Sequence, residues 1–225
     1  MIAHLYSPTE CPACKRENAT GHLCPGCRPE MLSVYGRCSI CFSVLAQRNC
    51  SFCQNRNVLF DRHISTFGLN SECKRVLQAW KFENERRAYL WSLPYLKERL
   101  HTLLKEADII RRPGYLIYIE SGGSSRDTRN YQPVADLSRH LETPALPACG
   151  MLKKVRTRKQ SGAGRKDRFF QLKGSIQLTV KYRPAFYYVI LEDVFTTGAT
   201  ASEASRILKK QSGAQVLVLS LFMAE

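Results

Sequence analysis

A chain of 225 residues with a 44% apolar share can bury a sizeable core as one large or two small domains, which excludes a chain too polar to fold. No apolar run approaches the ~20 residues that cross a bilayer, and the opening MIAHLYSPTE lacks the basic-then-apolar pattern of an export signal, so a cytoplasmic protein with reduced thiols is expected. With 34 Lys and Arg against 19 Asp and Glu, the formal net charge of +15 suits a polyanionic partner such as nucleic acid, or simply a wet basic surface.

Eight of the ten cysteines fall in four Cys-x2-Cys pairs: Cys11 and Cys14, Cys24 and Cys27, Cys38 and Cys41, Cys50 and Cys53. Two sulfurs three residues apart fit one tight knuckle, and two knuckles complete a tetrahedral shell around Zn²⁺. The metal supplies folding energy that a segment so poor in apolar residues lacks. Two structural Zn²⁺ sites are therefore expected. Sequential pairing makes two tandem zinc ribbons, and interleaved pairing stays open. Bound thiolates and zinc would lower the net charge to about +11. Cys73 and Cys149 have no partner at ligand spacing and read as buried thiols.

Residues 54–64 look like a junction, dividing the chain into a ribbon domain at 1–57 and a larger domain at 58–225. Helical spacing then runs over 71–89, with Cys73, Val76, Leu77 and Trp80 inward and Lys74, Arg75, Lys81, Arg86 and Arg87 around them. These five bases, with Trp80, Phe82, Tyr89 and Trp91 beside them, form a candidate single-strand nucleic-acid surface, although aromatics at this spacing also read as core. Pro94 breaks the pattern before a second helix at 95–107. Residues 115–119 (YLIYI) form the first strand of the larger domain. It empties into a small-residue loop with Ser121, Gly122 and Gly123, which could offer N–H groups to a diphosphate or make a plain turn. An amphipathic helix over 132–141 follows. Residues 156–168 (RTRKQSGAGRKDR) then hang between two extended segments as a basic flap.

The run FYYVILEDVFTTGAT at 186–200 reads as buried strand, loop and helix, with a last strand at 215–221. Gly198 allows close backbone approach, Thr196, Thr197 and Thr200 offer hydroxyls, and the helix that follows, read from Ala201 to Lys210, aims free N–H groups outward, so the loop suits a phosphate. Glu192 and Asp193 suit the vicinal hydroxyls of a ribose, directly or through Mg²⁺. The stretch resembles the phosphoribosyl pyrophosphate (PRPP) motif of type I phosphoribosyltransferases.

The order of cysteine pairs, basic helix with Trp80-Lys81-Phe82, flap and terminal motif resembles the ComF family over nearly the whole length. Arg129 to Gln132 and Lys159-Gln160-Ser161 with Arg165 and Arg168 add weaker matches. The resemblance implies an α/β fold, a mainly parallel phosphoribosyltransferase-like sheet with helices behind a small Cys₄ zinc-ribbon domain. It implies PRPP with Mg²⁺ at Glu192, Asp193, Thr196, Thr197, Gly198, Ala199 and Thr200. A role in natural transformation is implied too, with single-stranded DNA and the competence or DNA-uptake machinery as partners, and peripheral attachment to a membrane is left open. Were the protein a transferase, Lys159, Arg165, Lys166 or Arg168 would neutralise the departing pyrophosphate. The other reading is an active phosphoribosyltransferase of nucleotide salvage or of base or amine modification, with no DNA role.

Overall fold

The computed structural model describes residues 10–18, 23–46, 49–54, 58–83, 85–121, 132–155, 174–179 and 182–224. The described cysteine-rich residues carry a 3₁₀ segment (Pro25–Cys27), a short helix, α1 (Ser51–Gln54), and isolated antiparallel bridges between turns. Beyond them runs a six-stranded sheet in the order β1 (Arg62–Gly68), β6 (Gln215–Met223), β5 (Tyr187–Phe195), β2 (Gly114–Glu120), β3 (Ala148–Lys154), β4 (Ile176–Leu178). All its pairings are parallel except that of β3 with β4. Residues 187–191 and 216–219 are buried throughout, as parallel strands covered on both faces demand. This is the α/β fold with a mainly parallel sheet that was expected.

The apolar run at 187–191 suggests a strand that stops at the acids, yet β5 continues through Glu192 and Asp193 to Phe195, because β6 keeps pairing with it as far as Met223. The acids thus sit on rigid backbone. After β5 the chain turns into α5 (Ala199–Ser212), which ends at Gly213 with a left-handed φ of 65° and a bond from its N–H to the Lys209 carbonyl.

The first strand of the sheet is β1, not β2. Residues 54–64 read as a junction because Arg62, His63, Ser65 and Thr66 carry no apolar signal, yet the last three are fully buried. Each has a partner. His63 Nδ1 lies 2.9 Å from the Cys41 carbonyl and Nε2 2.8 Å from Ser220 Oγ, while Thr66 Oγ1 donates to the Ser220 carbonyl at 3.2 Å. A carbonyl only accepts, so Nδ1 carries the proton and Nε2 accepts from the serine hydroxyl. Burial pushes His63 down to about 3, so the ring is neutral at working pH.

β1 does not leave its outer edge open. Met31 bridges Phe67 antiparallel, the Leu32 N–H donates to the Thr66 carbonyl at 2.9 Å, and buried Arg99 donates to the Leu32 carbonyl. The ribbon segment thereby caps a sheet edge that would otherwise invite pairing with another chain. Its Cys11, Leu23, Cys41 and Phe42 belong to the same apolar cluster as the sheet.

α2 (Ser71–Phe82) is capped by Asn70, whose side chain accepts from the Cys73 N–H at 2.8 Å. It buries Cys73, Val76, Leu77, Ala79 and Trp80, and stops well short of residue 89. A turn and a 3₁₀ segment (Leu90–Ser92) lead into α3 (Leu93–Glu106), whose Pro94 lies in the first turn, where a missing N–H costs nothing. α4 (Pro133–Arg139) packs on β2. No helix among the described residues is long and apolar enough to cross a membrane.

Candidate functional site

The cysteines gather in two groups of four: Cys11, Cys14, Cys24 and Cys27, and Cys38, Cys41, Cys50 and Cys53. Pairing is sequential. Sulfur separations of 3.8 Å for Cys14 and Cys24, 3.8 Å for Cys38 and Cys53, and 3.4 Å for Cys41 and Cys50 compare with the edge of about 3.8 Å that a tetrahedron of ~2.3 Å Zn–S bonds requires. The two knuckles repeat each other. Lys15 and Phe42, each directly after the second cysteine, share a left-handed φ of 60° and 65°, and their N–H groups donate to the Cys11 and Cys38 carbonyls. Burial, then neighbouring sulfurs, pushes the Cys27 thiol up to about 12 and Cys53 up too, so a divalent cation is what lets all the sulfurs ionise together. The eight residues fit zinc.

The second candidate site is a cleft of about 290 Å³ at the carboxyl ends of β2 and β5. Here the connection from β2 to β3 runs one way across the sheet and that from β5 to β6 the other, the switch point where open α/β sheets take ligands. Lys81, Ser121, Gln132, Lys154, Glu192, Asp193 and Thr200 supply its polar lining. Glu192 is 9% exposed, and its Oε1 has no hydrogen-bond partner among the described residues. Burial, opposed by Lys154 and aided by Asp193, pushes its carboxyl up to about 7. Asp193 is better served: Oδ1 accepts from the Val194 N–H at 2.7 Å and Oδ2 pairs with the Lys81 ammonium.

Gly198 makes the turn into α5 at φ 68°, and a Cβ there would lie 2.8 Å from the Phe195 ring. That ring stacks on His63 with centroids 3.8 Å apart. The loop is thus propped from below by the residue that holds the Cys41 carbonyl. On the other side of α5, Glu203 accepts from the Gly174 N–H at 2.7 Å and pairs with Arg206, which fixes the returning arm of the β3–β4 hairpin to the same helix.

Of the loop residues singled out in the sequence, Glu192, Asp193, Thr200 and Ser121 meet in the cleft. Thr196 is exposed, Thr197 half-buried, and Gly198 and Ala199 are buried at the helix start. Gly122, Gly123, Lys159, Arg165, Lys166 and Arg168 lie outside the described residues. Lys74, Arg75, Arg86 and Arg87 are exposed, Arg75 at 2.7 Å from Glu72. Lys81 parts from them and faces the cleft, because Trp80, fully buried, sets the rotation of the last helical turn. Trp80, Tyr89 and Trp91 are core, leaving Phe82 as the exposed aromatic of that set. Lys81 and Lys154 were missed as cleft residues. Nothing in their local sequence separates them from the wet basic faces around them.

Charging Glu192 costs the fold. Its carboxyl ionises at about 7 when folded against an ordinary 4.5, so the stability it contributes is complete below pH 4.5 and is lost as pH rises through 7. Glu192→Gln should therefore stabilise the ligand-free protein at pH 8.5 by on the order of 3 kcal/mol and raise its Tm by about 6–12 °C. The gain should vanish near pH 4.5. Melting curves across that range check it.

No family model matches the chain. Competence protein F of Haemophilus influenzae is 26% identical over 218 residues, covering 92% of each chain. Two crystal forms of a hypoxanthine phosphoribosyltransferase from Staphylococcus aureus align with TM-scores of 0.35 and 0.36 at 18% and 16% identity, over 58% and 59% of this chain. The chain spans 62% and 64% of their lengths. The two Cys₄ groups, the sheet and the full-length relative bear out the resemblance to the ComF family.

Proposed function

We propose that this protein is a ComF-like PRPP-binding protein that acts in natural transformation, in the uptake and handling of single-stranded DNA in the cytoplasm. The observation that carries the ligand assignment is the buried Glu192 with an unpartnered oxygen, in a cleft that Thr200 at the start of α5 also lines. An acceptor kept dry at this cost calls for a hydroxyl donor, and a helix start calls for an anion; a ribose phosphate supplies both. Asp193 would meet the second hydroxyl and the Mg²⁺ that travels with PRPP, an ion that supplies charge neutralisation at the diphosphate. The role in transformation is supported by the name of the relative, Competence protein F, and by the net charge of +15.

Calorimetry with PRPP and Mg²⁺ tests the reading. Glu192→Gln and Asp193→Asn should each weaken binding by more than tenfold without loss of folding. A wild-type protein that gives no PRPP signal, or variants that bind as tightly, would refute it.

A second reading, an active transferase, is favoured by the Glu192 carboxyl ionising near neutrality and by Lys81 and Lys154 in the cleft. The C1–oxygen bond to pyrophosphate would break as a bond to the acceptor forms, the acceptor losing a proton. Pyrophosphate release from PRPP across a panel of nucleobases and amines distinguishes the two readings.

A further inference from the structure

We infer that Lys81 is a ligand-binding residue of the PRPP cleft with two duties: it guards Asp193 against a divalent cation arriving alone, and its ammonium, displaced when ligand takes that carboxylate, becomes a contact for the diphosphate. This rests on the PRPP reading above. Both oxygens of Asp193 are already engaged, Oδ1 by the Val194 N–H and Oδ2 by Lys81. A divalent cation cannot take Oδ2 without moving the ammonium, whose like charge repels it. Glu192, one residue away and more deeply buried, has a free oxygen instead. The two acids are therefore not equivalent: one has an open oxygen among the described residues, the other is open to a cation only by exchange.

Lysine suits an exchange. Its charge is a point on a flexible four-carbon stem, whereas a guanidinium would grip the carboxylate through two bonds. Its Cα is held, since α2 is locked by Trp80 and Val76, so the displaced ammonium swings within the cleft and does not leave it. With side-chain exposures of 23% and 22%, the pair is accessible enough to open and dry enough for the charge to matter. An incoming diphosphate is the strongest attractor such an ammonium can meet.

The test uses Lys81→Met, which keeps the stem and removes the charge, and Lys105→Met as the control on the exposed face of α3. Mn²⁺ alone, followed by electron paramagnetic resonance, should bind the Lys81→Met protein at least about tenfold more tightly than wild type, because Asp193 has lost its guard. PRPP with Mg²⁺, followed by calorimetry, should bind it at least about tenfold more weakly. Lys105→Met should match wild type in both, and circular dichroism should show all three folded. If Lys81→Met matches wild type in either assay, or binds PRPP more tightly, the pair is a static surface bridge and the inference falls. If wild type itself binds no PRPP, the PRPP reading fails, and with it the diphosphate duty, while the Mn²⁺ arm still decides whether Asp193 is guarded.

Discussion

Cys41→Ser is expected to remove one of two zinc ions, to lower the Tm by at least about 10 °C, and to loosen the loop at 195–200, some distance away along the chain. The path is short in space. Cys41 is a ligand of the second Cys₄ group, and its carbonyl holds His63 Nδ1 at 2.9 Å. His63 stacks on Phe195, and Phe195 is the ring against which Gly198 makes its turn. Phe42, strained at φ 65° beside Cys41, also meets the His63 ring edge-on at 6.0 Å. Unfolding that knuckle frees the imidazole from its acceptor and leaves a buried polar group unpaired, which costs roughly 1–3 kcal/mol beyond the lost zinc. Amide hydrogen exchange over residues 195–200 should accelerate at least tenfold, and PRPP affinity should fall with it. Cys14→Ser in the first group should also lose one zinc, by metal analysis, yet leave exchange in the loop unchanged. Equal effects from the two variants would show that the route through His63 carries nothing.

This coupling was not legible in the sequence, which reads as a ribbon domain followed by a separate larger one. The cysteine pairs and the acid-and-threonine loop were legible because their chemistry demands particular residue types at short spacing; the cysteines gather as that spacing requires, while of the loop Glu192, Asp193 and Thr200 line the cleft. β1 was not, because three of its five buried side chains are polar, and two of these are satisfied only far along the chain: His63 and Thr66 both need Ser220, more than 150 residues away. A pattern of apolar residues cannot reveal a strand whose burial is made tolerable by hydrogen bonds. Lys81 failed for a related reason. Helical spacing separates the buried face of α2 from the rest, but it does not say which part of the rest meets solvent and which meets the end of β5. The bases at 74, 75, 86 and 87 face solvent as the spacing suggests, while 81 is turned into the cleft.

That division sharpens what DNA binding should look like. Single-stranded DNA is expected to bind through Lys74, Arg75, Arg86 and Arg87, with little sequence preference and a steep dependence on salt. The bases lie on the outer face of α2 and in the turn after it, beside the first cysteine group, whose Lys15 pairs with Glu83 at 3.6 Å. With Trp80, Tyr89 and Trp91 in the core, base stacking has only Phe82, 68% exposed, to work with on this stretch, so charge must carry most of the affinity. If each of the four bases neutralises one phosphate, log affinity falls against log salt with a slope of about −2.8, and raising salt from 50 to 200 mM weakens binding about 50-fold. Reversing Lys74, Arg75 and Arg87 to Glu should abolish most of that slope and leave PRPP affinity within about twofold, since none of the three lines the cleft. Lys81→Met should do the opposite: PRPP binding weakens while the salt slope keeps its value. Fluorescence anisotropy with a labelled oligonucleotide over a salt series reads both variants. An unchanged slope in the triple variant would return the net charge of this chain to a solvated surface and remove the main physical support for a DNA-handling role.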